Sequence, residues 1–178
     1  MKIRRVVTGR DADGKSIVVS DGSSPKEMVF EHTPGFVSSP IWITNSTPDL
    51  KKGHDCPMAD ATTMLAPAGG AVFMLVTFPP DSVMGSPDFN PEKAGVEHLA
   101  AAPGIVETFE LDNPGMHTTP TVDFVTVVKG EIMLELDDGE RVFLKQGDTV
   151  VQHGARHAWR NPGTEPATVS FVMMGAQT

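Results

Sequence analysis

Short apolar runs separated by turn residues make up the second half of this chain. Beyond Gly115 they fall at Thr121–Val128, Glu131–Leu136, Glu140–Leu144, Thr149–Gln152, Ala158–Arg160 and Ala167–Met174. Between them stand pairs such as Lys129-Gly130 and Asp138-Gly139, which carry the residue chemistry of tight turns. Runs this short, rich in β-branched residues and lacking a 3.6-residue repeat, predict strands and an all-β sandwich or barrel.

The first half reads the same way with looser punctuation. Ile3–Val7 and Ser16–Ser20 are expected to form a hairpin across Asp-Ala-Asp-Gly. Gly9 to Ser16 matches the phosphate-loop pattern G-x-x-x-x-G-K-[ST], but that loop needs a helix after its lysine. Here Ile17-Val18-Val19 follows, and two aspartates in the loop would repel phosphate, so the segment is read as a turn. Asp11 and Asp13 lack the later ligands of a calcium loop. A short strand is predicted near Met28–Phe30, another at Ile41–Thr44, and a buried one at Ala71–Phe78, closed by Pro79-Pro80. Asn45-Ser46-Thr47 matches a glycosylation acceptor that matters only in a secreted protein. His54-Asp55-Cys56 brings three possible ligands together, but neighbours on extended backbone point apart, so a polar loop is expected. Residues 81–103 are turn-rich, with one helix predicted at Pro91–Ala102 behind an Asn90 cap. An insertion of this length often covers a site. His98, within it, is expected on the helix surface. Gly104–Leu111 is expected to return to strand.

Composition narrows the function. A net charge of −9 disfavours nucleic acid, whose phosphates need a positive surface. A single cysteine, Cys56, rules out an intrachain disulfide and fits a reducing, cytoplasmic compartment. No apolar run approaches the roughly 20 residues of a membrane-spanning helix, and the first residues lack the apolar core of a signal peptide. A small-molecule substrate or ligand is the expected partner.

The candidate site lies within Gly115–Asn161. On extended backbone His117, Thr119, Thr121, Asp123, Val125 and Val127 share one face, which passes from polar to apolar as at the mouth of a barrel. Asp123, set among Val122, Phe124 and Val125, needs a cation, a metal or donors if buried. His157 and Trp159 share a face on the later run. Phe124 is a second candidate for the pocket wall, although alternation turns it away from Asp123 and toward core packing.

With these residues the sequence resembles the cupin superfamily, whose motifs run G-x5-H-x-H-x3-4-E-x6-G and G-x5-P-x-G-x2-H-x3-N. His117 takes the first histidine, Asp123 the glutamate and Gly130 the closing glycine. Gly147-Asp148 opens the second motif, and Gly154, His157 and Asn161 fit G-x2-H-x3-N. Thr119 stands in place of the second histidine, Asp123 is one methylene shorter than glutamate, and the second motif is one residue short before Gly154, with His153 in the proline region. The resemblance covers about residues 104–174 and implies a jelly-roll (double-stranded β-helix) barrel. The expected division is an N-terminal arm of strands and loops over residues 1–70 and the barrel over 71–178. It further implies a divalent transition metal (Fe, Mn, Ni or Zn) on His117, Asp123 and His157, which double as the catalytic set. Thr119, Gln152 and His153 are possible additional contributors, with Trp159 beside them. The implied activity is that of a metal-dependent enzyme of small molecules: a dioxygenase, a decarboxylase or an isomerase. A metal-free barrel using acid–base chemistry and a non-catalytic sensor are the alternatives. The N-terminal strands need a partner, and the resemblance implies a homodimer in which they join the other subunit's sheet.

Overall fold

The structure, a computed structural model, describes residues 2–45, 47–50 and 56–178. Of the expected features, Ser46 of the acceptor triplet and His54 and Asp55 lie outside the described residues. Eleven strands and one α-helix follow one another along the described chain. They are β1 (Arg5–Arg10), β2 (Ser16–Gly22), β3 (Met28–Val29), β4 (Val37–Thr44), β5 (Ala71–Phe78), α1 (Pro91–Ala101), β6 (Thr121–Lys129), β7 (Glu131–Glu135), β8 (Arg141–Lys145), β9 (Thr149–His153), β10 (Ala158–Arg160) and β11 (Ala167–Gly175).

Six strands pair in the order β3-β4-β5-β11-β6-β9, and three more in the order β10-β7-β8. Every pairing is antiparallel. β3 and β4, from within the first 70 residues, are strands of the larger sheet. Only β1 and β2 stand apart, as a two-stranded ribbon of their own. Because β2 is a strand directly after Lys15, the phosphate-loop match has no helix to present. Asp11 instead closes the turn, accepting from the backbone of Asp13 and Lys15.

Alternation sorts the side chains on the large sheet, on β6 as the sequence predicts and on β5 with Phe73 turned out of an otherwise buried run. Val72, Met74 and Val76 of β5, Val125 and Val127 of β6, and Val169, Phe171 and Met173 of β11 all turn inward. Opposite them the smaller sheet contributes Ile132, Leu134 and Leu144 to one common core. Phe124 lies on the other face, 49% exposed, so it belongs neither to a pocket wall nor to the core. Pairing fixes this, because any residue between inward Asp123 and Val125 must face out.

The β6–β7 turn shows why the closing motif position is glycine. Gly130 has φ +78, and an added Cβ would stand 2.9 Å from the Pro166 carbonyl oxygen. The helix begins as predicted, with the Asn90 side chain accepting from the Lys93 amide. The strand expected at Gly104–Leu111 is absent. Gly104 turns at φ +88, its amide donates to the Glu107 carboxylate, and the Thr108 hydroxyl donates to the Ile105 carbonyl. These local bonds wind Val106–Thr108 into a 3-10 turn, and no strand of either sheet pairs with it.

Candidate functional site

The site is built on one exchanged pair of backbone hydrogen bonds. The His117 amide donates to the His157 carbonyl and the His157 amide to the His117 carbonyl, both at 2.9 Å. Residues directly opposite in an antiparallel pair project to the same side. The two imidazoles therefore meet, with ring centroids 4.4 Å apart. Each is oriented in the same manner. Nδ1 of His117 lies 2.9 Å from the Gly115 carbonyl, and Nδ1 of His157 lies 2.9 Å from the Ala155 carbonyl. A carbonyl only accepts, so Nδ1 carries the proton in both rings and Nε2 keeps its lone pair.

Two arginines hold the segments that present these rings. Arg156 grips Glu110 through Nε and Nη2 and reaches Asp137 through Nη1, each at 2.6 Å. Arg160 donates to Glu135 and to the Pro114 carbonyl, fixing the turn just before His117. Nothing in the sequence pattern distinguished either arginine from an ordinary exposed charge.

Asp123 reaches the same cavity from β6. It is 3% exposed, and its Oδ1 has no hydrogen-bond partner among the described residues. Burial pushes its carboxyl up to about 6, against a smaller opposing effect of the Thr121 hydroxyl. Burial likewise lowers both histidines. For His157, pushed down to about 4, the nearby His117 adds to the effect. Near neutrality the site therefore holds two uncharged imidazoles and a carboxylate that has little to balance it.

These shifts predict a pH signature. Asp123, raised in the fold, lends stability that is complete below its unfolded value near 3.8 and is lost as pH rises through about 6. His157, lowered in the fold, lends stability that is present above 6.5 and lost as pH falls through about 4. The two oppose each other between pH 4 and 6. Replacing Asp123 by asparagine removes one side. Urea unfolding of the metal-free variant should then show stability climbing across this window by on the order of 3 kcal/mol more than in the parent chain. Parallel pH profiles for parent and variant would refute the assignment.

The cavity has a volume of about 110 Å³. That is the order of the roughly 150 Å³ engineered apolar cavity that accepts benzene. Its walls are largely aromatic. Phe109 packs on His117 at 4.8 Å, and Trp159 lies edge-on to both His157 and Phe171. Trp159 thus takes its expected place in the wall.

His98 departs from expectation. It does not lie on an open helix surface but lines the cavity, edge-on to Phe30 at 4.7 Å and Phe36 at 4.6 Å. The neighbouring Glu97 turns it inward by tying α1 to the loop before β4. Its carboxylate accepts from the amides of Glu31 and His32 at 2.8 and 2.7 Å. Phe30, Phe36, Phe109 and Ser38 also line the cavity and went unnoticed in the sequence, having no motif or spacing that marks them.

The remaining candidates lie elsewhere. Thr119 is buried against the Thr121 hydroxyl at 2.8 Å and is not a wall residue. Gln152 is inward but spends its amide on the Ala155 carbonyl, and His153, one residue on, faces out and is exposed. Neither contributes to the cavity. Cys56, half-buried, accepts from Arg5. His117, Asp123 and His157 share one cavity. Among the described residues, however, no three histidine, cysteine, aspartate or glutamate groups are gathered closely enough to hold one ion.

Asn161, the last residue of the second motif, is a brace. Its amide donates to the carbonyls of Phe78 and Glu165, and its Oδ1 accepts from Gly163.

Known proteins agree with this architecture. The model of the Cupin_2 family, described as a cupin domain, matches residues 108–174. A protein of Neurospora crassa named cupin-domain-containing oxidoreductase srdB is 37% identical over 182 aligned residues, covering 96% of this chain and 72% of the relative. The cupin-domain-containing oxidoreductase fogC of Aspergillus ruber is 26% identical over 97% of this chain and 72% of its own. Oryzines biosynthesis cluster protein J of Aspergillus oryzae is 36% identical over 54% of this chain, and the match spans about half that relative's length, 51%. With its paired sheets, its two motif histidines joined by one backbone bridge and a relative of this closeness, the chain belongs to the cupin family, in the company of proteins named as cupin-domain-containing oxidoreductases.

Proposed function

We propose that this protein is a metal-dependent cupin oxidoreductase acting on a small, largely apolar molecule in the cavity between the large sheet and α1. The observation that carries the reading is the matched orientation of His117 and His157. Each commits Nδ1 to a backbone carbonyl and leaves Nε2 free beside the cavity, the arrangement by which proteins fix histidine ligands. Asp123, whose Oδ1 has no other partner, is the carboxylate that would complete a two-histidine, one-carboxylate donor set once the three side chains, which share the cavity but are not gathered around one point, draw together on an ion. That set suits Fe(II), Mn(II), Ni(II) or Zn(II). When bound, such an ion supplies Lewis-acid polarisation of substrate oxygen or, for iron, redox chemistry with dioxygen. The chain's own part is to keep both imidazoles neutral, hold the carboxylate in a dry pocket and exclude water with Phe36, Phe109 and Trp159. The relatives' names, cupin-domain-containing oxidoreductase, favour an oxidoreductase, the class to which a dioxygenase belongs, over a decarboxylase or an isomerase.

A second reading is supported by Asp123 itself. A carboxyl pushed up to about 6 beside two neutral imidazoles is suited to proton transfer without a metal. Elemental analysis separates the two. Untagged protein reconstituted with each of the four ions should retain close to one equivalent of at least one. Retention below about a tenth of an equivalent by all four would remove the metal reading and leave the acid–base one.

A further inference from the structure

Three buried side-chain atoms lack a hydrogen-bond partner among the described residues, and two of them line the same cavity: Asp123 Oδ1 and Ser38 Oγ. Asp123 belongs to the site already described. Ser38 does not. It stands on β4, two strands removed from β6, with β5 and β11 between them. It is 2% exposed, and it pairs across the sheet with Met28 and Val76. Its neighbour Ser39 shows what a serine here does when it serves the fold, donating to Glu27 at 3.0 Å. Ser38 makes no such bond. A buried hydroxyl without a partner is a cost to folding that alanine would avoid, so its partner is to be sought in whatever enters the cavity.

The cavity wall around Ser38 defines that partner. Phe36, two residues earlier, carries the edge of His98, while Met74, Val76 and Phe78 form the adjoining surface. Among the described residues no lysine or arginine lines the cavity, so on the Ser38 side a carboxylate or phosphate of the ligand would meet no counter-charge. Polar groups therefore occur toward two sides of an otherwise apolar space, His117, Asp123 and His157 on one side and Ser38 with His98 on the other.

We propose that Ser38 is a substrate-binding residue whose hydroxyl bonds an oxygen at the far end of an uncharged, mainly apolar molecule carrying one oxygen function toward each end. This rests on the cavity being the reaction site, as proposed above. Ser38 then selects, by the hydrogen bond it offers, molecules that bear the second oxygen.

Calorimetric titration of the full chain with three probes tests it: acetophenone, 4-hydroxyacetophenone and 4-acetylbenzoate. The parent chain is expected to bind 4-hydroxyacetophenone about tenfold more tightly than acetophenone, the worth of one buried hydrogen bond, and to bind the anion most weakly. Ser38→Ala should reduce the preference to about twofold or less, with acetophenone affinity and metal content unchanged and thermal stability equal or higher. A tenfold preference that survives Ser38→Ala overturns the role of Ser38, as does a variant that is less stable than its parent. Tightest binding of 4-acetylbenzoate overturns the substrate class. Failure of the parent to bind any of the three overturns the cavity as the site, and with it the functional reading, which failure of Ser38 alone would leave standing.

Discussion

Replacing His157 by alanine is expected to reduce bound metal at least tenfold and turnover by about two to three orders of magnitude, with the barrel still folded. The magnitude follows from the donor count. With Thr119 where the family motif has a second histidine, the proposed donor set holds only the two imidazoles of His117 and His157, and the loss of one leaves a single nitrogen donor beside Asp123. Folding should survive because the His117–His157 bridge is made by backbone atoms, which alanine keeps. His117→Ala should behave alike, given the matching geometry of the two rings. Elemental analysis, steady-state rates and circular dichroism read the three parts separately. Metal content that is unchanged in both variants would show that these histidines are not ligands. Lost turnover with no metal in the parent chain would favour the acid–base alternative instead.

Asn161→Ala is expected to destabilise the fold by about 2–4 kcal/mol, lowering the midpoint of thermal unfolding by about 5–15 °C. Asn161 is 2% exposed, and its side chain bonds the end of β5, the loop before β11 and its own turn. Truncation removes three hydrogen bonds made by a side chain that is itself buried, each worth about 0.5–1.5 kcal/mol. Asn161→Asp keeps the acceptor for Gly163 but sets a carboxylate against two carbonyl oxygens, so it should fare no better. Differential scanning calorimetry of the metal-free proteins is the measurement. A change of less than about 1 kcal/mol in both variants would mean that the brace adds nothing. The outcome also separates two meanings of the motif's final asparagine, because a ligand-binding role would leave the stability of the free protein intact.

Much of the scaffold was legible in the residue pattern. Two-residue alternation and turn chemistry are local properties, and they placed β5 and β10 to the residue and most other strands within one or two positions. The Asn90 cap, the inward face from His117 to Val127 and the β1–β2 hairpin were readable for the same reason. Gly104–Leu111 was misread because its apolar residues imitate a strand. Whether a strand forms there depends on a pairing partner, and local bonds from Glu107 and Thr108 take up the backbone instead.

The site divides along the same line. That His117, Asp123 and His157 face one cavity was anticipated through the resemblance of the two motifs to the cupin pattern. The meeting of the two imidazoles required the register of one backbone bridge, which joins residues forty positions apart. His98 is a plainer case. On a helix with exposed Val96 and Leu99 nothing in the sequence turns it inward, and the contact that does so is made by Glu97 to amides more than sixty residues away. Ser38 is the furthest from legibility. A serine in a strand is unremarkable until its surroundings show that every other partner is missing. The sequence by itself determined which residues form strands and which faces turn inward, since these follow from neighbouring side chains. Only the tertiary structure decided which polar groups share the cavity and which are left unpaired there, since that depends on contacts between segments distant in the chain.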